Sequence, residues 1–109
     1  MRVSVAGDPS VIRALQSEMA RDPDITVERV EDGKDATALE FGLAEVLVVV
    51  GIVKGVAELA KLLLELRSHL ASTQKLRVQT ATGTAVIELS KETTREELDE
   101  RLRAVLDQV

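Results

Sequence analysis

The chain has 109 residues, 19 acidic against 14 basic side chains and a net charge of -5. That balance argues against a nucleic-acid surface, whose affinity comes mainly from Lys and Arg neutralising phosphates. With Phe41 as the sole Phe and no Trp or Tyr, the stacking platforms of single-strand binders are missing too. The absence of Cys excludes a disulfide framework and a thiolate metal site.

The length fits one α+β domain over residues 1–109, with a core built from Val, Leu, Ile and Ala. The opening MRVSVAGDPS has no continuous apolar run of the kind a secretory leader carries, so a cytoplasmic protein is the expectation. Arg2-Val3-Ser4-Val5 alternates polar and apolar, the period of a strand with one buried face. Asp8-Pro9 opens a helix, Asp8 accepting from orphan N–H groups and Pro9 standing where its missing donor costs nothing. Val11, Ile12, Leu15 and Met19 share one face of that helix, which ends near Arg21 before Asp22-Pro23-Asp24, a turn rather than a ligand loop. Ile25 to Val30 is a second strand, and the β-α-β unit predicts a right-handed parallel crossover. Glu31, Asp32 and Asp35 gather carboxylates, but without the ligand ladder and closing Glu of an EF-hand loop, so Glu31 to Asp35 is read as a solvated linker.

Leu39 to Leu70 is the longest apolar stretch and reads as one long helix around which the domain is organised. It is too punctuated to span a bilayer, which takes about 20 predominantly apolar residues: Lys54 closes an uncharged run that begins at Val46. Lys54, Glu58, Lys61 and Glu65 then recur at helical spacing and mark one solvated edge, with two i,i+4 ion pairs. Traced backwards, the same stripe lands on Leu47, Val50 and Gly51, so two turns are apolar all round and demand burial on every side. That burial is supplied by the chain itself, by a partner or second copy, or by a membrane surface. Gly51 and Gly55 form G-x-x-x-G, a mark of close backbone approach. Glu45 falls on the apolar side of this helix. Either the helix starts or bends there and frees it to solvent, or it is buried to meet a partner's Arg or Lys.

Leu76 to Thr80 and Ala85 to Leu89 are two alternating strands joined by Ala81-Thr82-Gly83-Thr84, a hairpin. Leu76, Val78, Ile87 and Leu89 are expected to face the helices, with Arg77, Gln79 and Glu88 outward. Thr94-x-x-Glu97 is a capping box, followed by a helix whose core stripe is Leu98, Leu102, Val105 and Leu106. The predicted order is β-α-β, long α, β-β, α: a two-layer sandwich of about four strands in a mixed sheet, with helices packed on one face.

Little in the chain suggests catalysis. The single His69 adjoins Ser68, and neighbouring residues on a helix diverge by about 100°, a poor geometry for a hydroxyl and its base. No phosphate-cradling, dinucleotide or zinc-hydrolase motif occurs, and no cofactor or metal is expected.

Arg2-Val3, Val27-Glu28-Arg29-Val30, the apolar Gly-containing helix Gly51 to Arg67, the hairpin from Leu76 to Gly83 and the acidic closing helix Leu98 to Leu106 together resemble the effector-associated constant component family. The likeness runs nearly end to end but rests on strand and helix patterns, and the turn at Ala81 to Thr84 carries less charge than is typical of that family. The resemblance implies a small non-catalytic adaptor or sensor of a bacterial conflict system, working beside an effector protein such as a peptidase, and it carries over no catalytic residue. Two functional expectations follow. The first is a cytosolic interaction module that docks an effector, or a second copy as a homodimer, through Leu47, Val50, Gly51, Gly55 and Glu45 or through the open sheet face. The second is a peripheral membrane sensor that releases the apolar half of the long helix into lipid.

Overall fold

The computed structural model describes residues 1–33 and 45–106, with side chains to Ala104 in the last helix. Phe41, Lys34, Asp35 and the expected first turns of the long helix from Leu39 lie outside the described residues, as do the side chains of Val105 and Leu106. The elements are β1 (Arg2–Gly7), α1 (Pro9–Arg21), β2 (Thr26–Asp32), β3 (Leu47–Ile52), α2 (Val56–Leu66) with a 3-10 turn at Arg67–His69, β4 (Gln74–Thr80), β5 (Gly83–Leu89) and α3 (Arg95–Leu106).

The expected long helix is two elements. Its first half is the strand β3, its second half the helix α2, and Val53 to Gly55 joins them. The physical reason lies in the residues: Val48, Val49, Val50, Ile52 and Val53 are β-branched, which favours a pleated strand over a helix, and a helix would carry the cost of Gly51 in its interior. Apolar residues all round are what an inner strand shows when both of its faces are covered. β3 is an inner strand, paired antiparallel with β1 on one side and β2 on the other, with Val49 buried on the helix side, Val50 buried on the opposite face and Ile52 at its end 40 % exposed.

Among the described residues the sheet therefore has five strands rather than about four, in the order β2-β3-β1-β4-β5, and every pairing is antiparallel rather than mixed. β1 and β2 run parallel, each being antiparallel to β3, but β3 sits between them. Without β5 and α3, the chain order β-α-β-β-α-β and this strand order are the ferredoxin-like, split β-α-β arrangement. β5 and α3 extend it beyond β4.

The rest of the pattern is as expected. Asp8 caps α1, its carboxylate accepting from the Ser10 N–H at 2.9 Å with Pro9 in the first turn, and Val11, Ile12, Leu15 and Met19 are its buried face. Asp22 closes the following turn by accepting from the Asp24 N–H. Val3, Val5, Val49, Leu76, Val78, Ala85, Ile87 and Leu89 meet these helical side chains, Leu59, Leu62, Leu63 and Leu66 of α2, and Leu98 and Leu102 of α3 in one apolar cluster. Strand residues of a single parity join it, so the helices form one layer against one sheet face. α2 is the middle helix, packed against both α1 and α3.

One of the two expected ion pairs of the long helix, Lys54 with Glu58, is reassigned. Lys54 precedes α2, and its backbone N–H donates to the Glu58 carboxylate at 3.1 Å. Glu58 thus ties down the start of α2 in the manner of a capping box. The Lys54 ammonium reaches Asp24, 3.0 Å away, linking α2's entry to the α1–β2 turn.

Candidate interaction surface

The five residues expected to form an interaction surface do not come together. Leu47 opens β3 and is half-buried against the core on the helix side. Val50 is 2 % exposed, on the opposite sheet face. Gly51 is buried under α1: an added Cβ would lie 2.6 Å from the Met19 methyl and 2.8 Å from the Thr26 carbonyl oxygen. Gly55 caps α2 with open space around it, so the G-x-x-x-G spacing joins a strand to a helix cap and not two turns of one helix. Glu45 is exposed just ahead of β3, outside any helix.

The apolar half of the helix that the membrane reading would release into lipid is the strand β3. Release of residues 47–52 into lipid would strip an inner strand from both neighbours, and no helix among the described residues is long and apolar enough to cross a membrane.

Ser68 and His69 diverge as their spacing implied. The Ser68 hydroxyl donates to the Glu65 carbonyl at 2.9 Å, while His69 Nε2 lies 3.0 Å from Glu18 Oε1 on the surface of α1. Among the described residues no group of three or more His, Asp or Glu side chains is arranged to hold a metal; Glu31 and Asp32 belong to β2, not to a loop. An open groove of about 710 Å³ lies at one end of the sheet, lined by Arg2, Ser4, Lys54, Gly55, Val56 and the β4–β5 turn. Its two cationic side chains already have partners: Arg2 Nε donates to Glu28 Oε1 at 2.9 Å, and Lys54 holds Asp24. The Asp24 carboxylate raises the Lys54 pKa above the ordinary lysine value, first through its hydrogen bond and then through its charge.

The sheet face away from the helices is the remaining surface. Register places Arg29, Val50, Ser4, Gln79 and Thr84 in one row across it, and Glu31, Val48, Ala6, Arg77 and Val86 in the next. Its middle is apolar and closed, with Ala6 and Val50 buried. The side carrying β4 and β5 is open: Lys75, Gln79, Thr84 and Glu88 are exposed, and Val86 is 46 % exposed, more than any other large apolar side chain described. Sequence reasoning passed over Val86, although a signal was present: in Ala85-Val86-Ile87-Glu88-Leu89 it shares the outward parity of Glu88, and an aliphatic residue on a polar parity is out of place.

Thr93 was missed as well. It is the buried polar residue of the loop between β5 and α3, where its hydroxyl accepts from the Ser90 N–H at 2.9 Å and its carbonyl accepts from the Arg67 guanidinium. This pins the end of α2 to the start of α3 and fixes β5 beside β4. No family model, curated protein or solved structure matches the chain.

Proposed function

We propose that the protein is a non-catalytic interaction component, an adaptor or sensor, that acts in the cytoplasm on an effector protein of a bacterial conflict or defence system. The effector, a peptidase being one kind that fits, docks on the β4–β5 side of the outer sheet face. The observation that carries this reading is Val86, 46 % exposed on a regular strand among the polar neighbours Gln79, Thr84 and Glu88. An apolar centre inside a polar rim is the layout of an interface core. The resemblance of Arg2-Val3, Val27 to Val30, the hairpin from Leu76 to Gly83 and the closing helix to the effector-associated constant component family supplies the biological setting. Surface chemistry fits the same role, since Ser68, His69, Arg2 and Lys54 are each engaged in a structural contact rather than directed at a common point.

The test is co-purification with the products of neighbouring genes. Lys75→Ala and Gln79→Arg alter the outer face of β4 without touching the core, and they are expected to reduce recovery of the effector at least several-fold. Gln16→Ala, on the exposed side of α1, is expected to leave it unchanged. Equal recovery with all three variants would overturn the assignment of the surface.

A further inference from the structure

The two edges of the sheet are built differently. β2, at one edge, carries Glu28, Glu31 and Asp32, and its register with β3 shifts between Val27 and Arg29. Charge and irregularity of this kind blunt an edge against pairing with another chain. β5, at the other edge, is regular and nearly uncharged. It runs for seven residues, GTAVIEL, in unbroken register with β4, without Pro or Lys and with Glu88 as its one charge. The connection Ala81–Thr82 closes on the pair Thr80 and Gly83, so hydrogen bonding to β4 falls on Gly83, Ala85, Ile87 and Leu89. The backbone N–H and C=O groups of Thr84, Val86 and Glu88 therefore point out of the sheet.

We infer that β5 pairs antiparallel with β5 of a second copy about a two-fold axis at Val86, joining two sheets into one. The inference rests on the reading of β4–β5 as the working side of the molecule and names its first partner. The register follows from the edge itself: Val86 opposite the partner's Val86, and Thr84 opposite the partner's Glu88, are the pairings that set every outward N–H against an outward C=O. In that register the two exposed valines touch on the outer face, Ala85 and Ile87 stay on the helix side, and no like charges stand opposite. A two-fold axis normal to the sheet keeps both helix layers on one side, so the outer faces of the two copies form a single continuous surface for the effector. The interface is isologous, as closed dimers are.

Sedimentation velocity over a wide range of protein concentration tests this with two lysines placed two residues apart. Val86→Lys sets two ammonium groups side by side at the axis and is expected to leave a monomer at every concentration where the unaltered chain is dimeric. Thr84→Lys sets an ammonium group opposite the partner's Glu88, twice per dimer, and is expected to tighten association about three- to ten-fold at low salt. Both positions are exposed, and a native circular dichroism spectrum confirms that each variant is folded. A chain that is monomeric at all concentrations, or two variants that shift association in the same direction, would overturn the self-pairing. Effector recovery with Lys75→Ala and Gln79→Arg is scored separately, so an unaltered chain that stays monomeric while these two variants still lower effector recovery refutes this inference alone.

Discussion

Replacing Gly51 with alanine distinguishes a strand from a helix at the centre of the molecule by the sign of its effect. In a helix interior the change is favourable by about 0.8–1 kcal/mol, because Gly surrenders more backbone entropy than Ala. In β3 the new methyl group would lie 2.6 Å from the Met19 methyl and 2.8 Å from the Thr26 carbonyl oxygen. Met19 is buried and has little room to swing, and Thr26 O belongs to the backbone of β2, so α1 and β2 must both be pushed away from β3. Overpacking of this kind costs about 1–3 kcal/mol. Urea unfolding followed by far-ultraviolet circular dichroism reads the difference. With a slope of about 1–3 kcal/mol per molar urea, the midpoint should fall by roughly 1 M. Gly55→Ala serves as the control: nothing lies within 4 Å of an added Cβ there, and a helix cap changes by less than about 1 kcal/mol. A Gly51→Ala protein as stable as the parent, or more so, would refute the close packing of α1 and β2 on β3.

Val50→Lys should unfold the domain rather than merely alter its assembly, since the residue is 2 % exposed on an inner strand; the substitution forfeits about 1.5–3 kcal/mol of burial and desolvates an ammonium group, and retention of a native spectrum at 25 °C would contradict that placement. Thr94→Ala removes the hydroxyl that accepts from the Glu97 N–H at 3.2 Å, with an expected cost of about 1 kcal/mol and a thermal midpoint about 4–8 °C lower. Asp24→Asn should lower the titration midpoint of Lys54 followed by NMR, because the Asp24 carboxylate is what raises it. A lysine pKa raised on folding adds stability that is fully present below the unfolded value and lost as pH rises through the folded one. The stability gap between Asp24→Asn and the parent should accordingly narrow in strongly alkaline solution, and a gap independent of pH would argue against the ion pair.

What the residues declare by themselves divides along the two periodicities. α1, the β4–β5 hairpin and α3 are amphipathic, so spacing assigned both the element and its inward face: Val11, Ile12, Leu15, Met19, Leu76, Val78, Ile87, Leu89, Leu98 and Leu102 are all buried. β3 has no polar side to set a period, and a short apolar run fits helix and strand equally. Its neighbour α2 does carry a helical stripe at Glu58, Lys61 and Glu65, and that stripe was extended backwards through Lys54 across a boundary that only the β-branched run and Gly51 betray. Strand order was illegible because nothing in a pairing partner two elements away is written in local pattern. The same holds for the expected surface residues: Leu47, Val50 and Gly51 are apolar because they sit inside a sheet, whereas Val86, on the outward parity of β5, is exposed.

The insertion of β3 between β1 and β2 also dictates how the polypeptide reaches its final form. When residues 1–33 have left a ribosome, the two parallel strands they contain have no mutual contact to make, and the gap between them waits for a segment synthesised later. α1 cannot be secured before residues 47–52 arrive, since the floor it rests on includes Gly51. Early lengths of the nascent chain thus hold no autonomous subdomain, and cooperative closure follows when the wedge is in place.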